Sequence, residues 1–264
     1  RAVLRFTEGI PLLNDPLLNV ALPREEGVNL NTRLMERGGG LLLVSSPAQR
    51  PLSRFYASLL RSLTRGGRDV LSLDRPPQRR VPGVTSINCP NNEVMLASLA
   101  NASFMNPDVL GVSSIENGTV FNRIMNVAVR GTTTVACLTA PDSETAQACL
   151  DAARIDTMNL VRGLAGHLHF VETQRLCPRC REPITNEAFL PEWASSLKAD
   201  FCKAQGCEYC KKTGYRETVL MSDFWTVNHS RKDGSVQALH RMDKDILALS
   251  LAGEIDPREF VTSP

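Results

Sequence analysis

Apolar residues along this chain fall into short dense runs separated by polar, glycine- and proline-rich breaks, a spacing that predicts strands alternating with helices. Leu41-Leu-Leu-Val44 and Val70-Leu-Ser-Leu73 are apolar runs bounded by turn residues, the mark of strands buried on both faces. Between them, Ser53 to Thr64 brings Phe55, Leu59, Leu60 and Leu63 onto one helical face. The pattern then predicts a helix over Asn91 to Ala102, a strand over Val109 to Ile115, a helix over Val120 to Val129 and a strand over Thr132 to Leu138. Helices follow over Ser143 to Ala153 and Thr157 to Leu164. Upstream, Ala2-Val-Leu-Arg-Phe6 reads as a strand, followed by irregular structure and a short helix. Downstream, Thr218 to Val227 reads as a strand, and Ser235 to Met242 and Asp245 to Ala252 as short helices. Such alternation implies parallel crossovers and a sheet covered on both faces. The expected fold class is therefore α/β: a three-layer domain over 1–172, a small segment over 173–217, and a returning strand with C-terminal helices over 218–264.

Composition narrows the class of protein. A chain of 264 residues with 42% hydrophobic residues can bury one substantial domain plus a small appended one. No apolar run approaches the roughly 18 residues needed to span a membrane, so a reducing cytoplasmic compartment is expected. A net charge of +2 is too mild to argue for nucleic acid, which calls for a clustered basic face. No lysine precedes Lys198, so all positive charge before it is carried by arginine. The sequence opens at Arg1 rather than Met, and is expected to be a piece of a longer protein with an N-terminal docking region.

Two Cys-x-x-Cys pairs stand in the small segment, Cys177-Pro-Arg-Cys180 and Cys207-Glu-Tyr-Cys210. Each can offer two sulfurs from one tight turn, and the 26 residues between them, 181–206, let the second turn fold back onto the first. Four thiolates so spaced suit a closed tetrahedral zinc site, structural because no coordination position is left open. Two disulfides or four idle buried thiols are the alternatives. Cys202 lies close by without a Cys-x-x-Cys partner, and Cys89, Cys137 and Cys149 read as small core residues. Arg179, Arg181, Lys211, Lys212 and Arg216 gather around the pairs. They read as a solvated rim or a contact for an acidic partner, with nucleic acid or anionic lipid as alternatives. His167 and His169 share a face of a strand and read as ordinary surface or packing residues rather than metal ligands, while His229 and His240 carry no local pattern.

In an α/β domain the turn after the first buried strand is where a glycine-rich loop entering a helix would cradle phosphate. Here the residues are Val44-Ser-Ser-Pro-Ala-Gln-Arg-Pro-Leu-Ser-Arg-Phe-Tyr56. Laid on G-x-x-x-x-G-K-[ST], they put Ser46 and Pro51 at the glycines, Leu52 at the lysine and Ser53 at the hydroxyl. Proline fixes φ and removes a donor, and leucine cannot neutralise a phosphate. Arg50 or Arg54 is the nearest substitute charge.

With this loop, Asn106-Pro107-Asp108-Val109, Leu176-Cys-Pro-Arg-Cys-Arg-Glu-Pro183 and Gly206-Cys-Glu-Tyr-Cys-Lys-Lys-Thr-Gly-Tyr-Arg216, the chain resembles the C-terminal half of the type II secretion and type IV pilus assembly ATPases (the GspE/PilB-like group) from about Leu41 to Val227. The resemblance implies a RecA-like fold, a zinc-bearing subdomain and a ring assembly. Carried over position by position, the family's catalytic set is largely absent. In the acidic box Asp74 is kept, but Arg75 and Gln78 replace acids. Ser114 stands at the Walker B glutamate, with Glu116 and Asn117 following, and Glu116 reads as a loop carboxylate. Thr139 stands at the histidine of the histidine box, and a family arginine matches no better than His167.

The resulting expectation is a non-catalytic, cytoplasmic scaffold at the inner membrane. Its partners would be copies of itself or an active ATPase relative, together with inner-membrane platform proteins. Structural Zn²⁺ is expected, ATP with Mg²⁺ is not, and no nucleic acid is expected. The alternatives are a divergent active ATPase, and a zinc-ribbon nucleic-acid module.

Overall fold

The computed structural model describes residues 16–17, 24–35, 38, 40–75, 80–185, 190–195, 197, 199–227 and 235–260. The expected strand Ala2–Phe6, Gln78, Lys198 and His229 lie outside the described residues. The elements run α1 (Arg24–Met35), β1 (Leu41–Ser46), α2 (Gln49–Leu63), β2 (Val70–Asp74), β3 (Val84–Asn88), α3 (Asn92–Met105), β4 (Val109–Val112), α4 (Gly118–Val129), β5 (Thr133–Thr139) and α5 (Ser143–Ala152). They continue α6 (Thr157–Gly163), β6 (Leu164–Leu176), β7 (Glu182–Pro183), α7 (Glu192–Ser195), β8 (Cys202–Lys203), β9 (Tyr215–Val227), β10 (Val236–His240) and α8 (Met242–Leu251).

One sheet takes the strands in the order β10-β9-β6-β1-β5-β4-β2-β3, and β7 pairs with β8 in a separate small ladder. From β6 to β3 the pairing is parallel, while β9 and β10 are antiparallel additions. The apolar run of β1 explains its central position, because its alternate side chains feed two cores. Leu41 and Leu43 join the core built with α3 and α4, whereas Leu42 and Val44 join the one under α2. This is a three-layer α/β architecture with a mostly parallel sheet.

Side-chain caps set most helix starts on the α3–α6 side. Asn91, Asn117, Asp142 and Asp156 accept from backbone N–H groups in the first turns of α3, α4, α5 and α6. Two expectations change. Ser235 to Met242, expected as a helix, contains β10, because Val236–Val227 and Ala238–Trp225 pairing against β9 outweighs a weak local helical preference. The strand expected over Val109 to Ile115 ends at Val112. An edge strand, β3, was not foreseen, its side chains being half-buried or exposed.

Candidate functional site

The four cysteines of the two pairs converge. Cys177, Cys180, Cys207 and Cys210 place their sulfurs within 4.8 Å of one another. Individual Sγ–Sγ separations are 3.9 Å for Cys177–Cys207, 3.7 Å for Cys180–Cys210 and 3.8 Å for Cys207–Cys210. Sulfurs bound tetrahedrally to zinc at about 2.3 Å stand about 3.8 Å apart, whereas a disulfide requires about 2.0 Å. The donor set and its spacing therefore fit zinc, and all eight cysteines are free thiols. Cys202 is not one of the converging residues.

The turns that present these sulfurs are built for it. N–H groups donate to sulfur from Gly206 to Cys180 at 3.3 Å, from Cys207 to Cys210 at 3.1 Å and from Gly214 to Cys210 at 3.2 Å. Such donors stabilise thiolate charge. Gly206 and Gly214 adopt φ of 108° and 81°. A Cβ on Gly206 would meet the Lys212 carbonyl oxygen at 2.7 Å, and one on Gly214 would meet the Ala204 Cβ at 2.6 Å, so the second turn closes only with glycine at both positions.

At the phosphate-loop position the chain does something different. Ser46 is the last residue of β1, and α2 begins at Gln49, leaving only Pro47 and Ala48 between strand and helix. Pro51, Leu52 and Ser53 are thus wound into the first turns of α2, with the Leu52 N–H donating to the Ala48 carbonyl at 3.3 Å. Leu52 is 1% exposed and packs in the core under α2. Ala48 provides no side-chain cap.

The neighbouring positions are engaged with one another. Asp74 is buried and accepts from Ser72 Oγ at 2.6 Å, and Ser72 Oγ is 2.7 Å from the Tyr56 hydroxyl. Burial, followed by the charge of Asp74, raises the Tyr56 pKa well above its usual value. Arg75 donates through its backbone N–H to Ser113 Oγ at 2.7 Å and forms an ion pair with Glu116 at 2.8 Å. Thr139 donates to Gln49 Oε1 at 2.9 Å. Arg54 pairs with Glu172 at 3.2 Å.

No family model matches the chain. Putative type II secretion system protein E of Escherichia coli is 22% identical over 232 residues, 86% of this chain and 47% of that protein. Type II secretion system ATPase E of Vibrio cholerae is 24% identical over 202 residues, 72% of this chain and 40% of that protein. The chain thus spans about half or less of the length of the curated relatives it matches. In sequence the chain is similar to type II secretion ATPases. Solved structures of low identity share its fold. The Legionella pneumophila ATPase DotB superposes with a TM-score of 0.62 at 13% identity, covering 95% of this chain and 66% of DotB. The ADP-bound pilus retraction motor PilT gives 0.60 at 12%, covering 97% and 68%. These likenesses make the α/β body RecA-like.

A buried polar cluster links β1 to β6, and only half of it is visible in the sequence. Of the two readings, surface or packing, the structure gives packing, since His167 and His169 are both buried, but they meet on one hydroxyl. Ser45 Oγ lies 2.7 Å from His167 Nε2 and 2.9 Å from His169 Nδ1. Burial, and then the charge of His169, lowers the His167 pKa to about 3. His169 is lowered by burial against the opposing pull of Asp223, Asp142 and Glu144. Opposite His169 on β9, Asp223 accepts from Ser143 Oγ and from the Met242 N–H, both at 2.7 Å. The i, i+2 histidine spacing was visible; that Ser45, more than 120 residues earlier, joins them was not. One smaller correction concerns Cys149, and one addition His240. Cys149 is exposed rather than core, since it lies on the outer side of α5. His240 pairs with Asp245 at 2.7 Å.

Proposed function

We propose that this chain is a non-catalytic member of its family, a scaffold subunit of a secretion or pilus-type assembly machine with structural zinc. One observation carries this reading. The position of the phosphate-clamping lysine is held by Leu52, buried in the core of a helix whose first turn takes up the residues a phosphate loop would need. Phosphoryl transfer depends on positioned charge, and each missing part typically lowers the rate on the order of 10²-fold or more. The remaining charges support the same reading, since Arg75 and Glu116 neutralise each other and Arg54 is occupied by Glu172.

On this reading 1–172 is the RecA-like body, 173–217 the zinc subdomain and 218–264 the returning strand and C-terminal helices. The four thiolates would hold zinc and fix the subdomain as a rigid contact surface. Copies of this chain or an active ATPase relative, and inner-membrane platform proteins, are the proposed partners, with the chain peripheral to that membrane on its cytoplasmic side. None of the described helices is long and apolar enough to cross a membrane. Titration calorimetry with ATP and Mg²⁺, paired with a phosphate-release assay, tests the reading. No binding in the micromolar range and no release are expected; micromolar affinity with Mg²⁺-dependent turnover overturns it.

A further inference from the structure

Three buried side chains share a single hydroxyl proton where β1 meets β6. Ser45 is fully buried, and His167 and His169 are each 1% exposed. The Ser45 hydroxyl has a ring nitrogen on either side, His167 Nε2 at 2.7 Å and His169 Nδ1 at 2.9 Å. A hydroxyl carries one hydrogen, so when both bonds are made it donates to one ring and accepts from the other. Only one of the two nitrogens facing Ser45 is then protonated.

The far side of His167 decides which. Its Nδ1 is buried with no hydrogen-bond partner among the described residues. Trp225 stands directly opposite on β9, and its indole N–H is likewise buried without a partner. An indole nitrogen donates and does not accept, so a proton on His167 Nδ1 would be a buried donor that Trp225 cannot satisfy, an arrangement folded interiors avoid. At neutral pH the bonds therefore run from His167 Nε2–H to Ser45 Oγ and from Ser45 O–H to His169 Nδ1. The His169 proton is left on Nε2.

His169 lies where a second proton is attracted. Asp223 opposes it on β9, and Asp142 and Glu144 stand at the start of α5. Arg241 pairs with Glu144 at 3.2 Å and approaches Asp223 at 3.9 Å, and His167 is the other titratable group beside the ring. Burial disfavours the charged ring, and the three carboxylates oppose burial. The one nitrogen of His169 without a hydrogen is Nδ1, which already accepts from Ser45.

We infer that Ser45 is an acid-sensitive switch between β1 and β6, in which protonation of His169 reverses both hydrogen bonds and drives His167 into its other tautomer. His169 Nδ1–H then donates to Ser45 Oγ, and Ser45 O–H donates to His167 Nε2, which has released its proton to water. His167 Nδ1 takes a proton back from water, so the pair as a whole gains one proton. If both rings donated to Ser45 instead, the hydroxyl hydrogen would be left without an acceptor. The acid form keeps both bonds but holds the unsatisfied Nδ1–H, so it is the strained state of the joint. The switch goes beyond the scaffold reading and stands whether or not the chain binds nucleotide.

Long-range proton–nitrogen correlation spectra of the full chain, with labelled histidines, test the switch, because bare and protonated ring nitrogens resonate far apart. At about pH 8 both rings should be neutral with the proton on Nε2. As the pH falls, His169 should become doubly protonated while His167 passes to the Nδ1–H form with the same midpoint. In S45A, His169 should bind its proton about tenfold more tightly, a midpoint about one unit higher, and His167 should not follow it. A His167 tautomer that stays unchanged while His169 titrates, or a neutral form with the His167 proton on Nδ1, overturns the proposal. Both outcomes are read on the native chain and need no variant. A His169 midpoint unmoved by S45A, or unfolding before His169 takes up a proton, overturns it as well.

Discussion

His167 shows how surroundings fix the state of one side chain. Its Nδ1 is buried with no hydrogen-bond partner among the described residues. The least costly arrangement protonates Nε2, which donates to Ser45 Oγ, leaving the hydroxyl to donate to His169 Nδ1. With a folded pKa of about 3, His167 stays neutral at pH values where the unfolded chain, near its ordinary value of 6.5, takes up a proton. The unfolded state therefore binds more protons over that window. Stability should rise with pH from about 3 to about 6.5, by up to about 1.4 kcal/mol per pH unit for this group. His169 acts in the same direction, with Asp223, Asp142 and Glu144 opposing. Urea denaturation across this range measures the slope, and H167Q should flatten it; a flat profile for the native chain would show that the pair is not buried neutral. Leu52 gives a second prediction at this scale. L52K would place an ammonium in a core position that is 1% exposed, costing roughly 3–5 kcal/mol and restoring no nucleotide affinity. An L52K protein of native stability that binds ATP would contradict the wound first turn of α2.

At the scale of elements, the sequence was legible where burial is strong. The runs 41–44 and 70–73 have no polar face to offer and could only be central strands, and Phe55, Leu59, Leu60 and Leu63 do face the core. The paired cysteines were legible for a related reason, because ligand spacing is local. Edges were not. β3 and β10 bury little, so no period marks them, and both take their form from the strand alongside. The start of α2 was obscured by a different effect. Pro51 suits the first turn of a helix, where its missing N–H costs nothing, but alignment to a phosphate-loop pattern reads the same proline as loop. The Ser45 cluster joins strands distant in sequence, and no local pattern reports it.

Taken whole, the molecule joins a large two-faced core to a cluster of cysteines at the far end of β6 and β9. Around the four cysteines, the buried cluster is made of the thiols themselves, so a metal bound there would supply most of the local folding free energy. A strong chelator, or C207S, should therefore raise amide exchange across 177–214 while leaving exchange in β1, β5 and the inner half of β6 near its native rate. Mass-spectrometric hydrogen exchange reads both regions in one experiment, and uniform loosening of the whole sheet would contradict this division. The connection between the two parts has a mechanical consequence. β6 and β9 are each 13 residues long and pair antiparallel, forming a ribbon that extends roughly 40 Å at the usual rise per residue. Leu176 opposes Tyr215 at the cysteine end, and His169 opposes Asp223 deep in the sheet. A stiff ribbon anchored in this way is a lever, so a load on the cysteine end is delivered as torque to the rung beside Ser45.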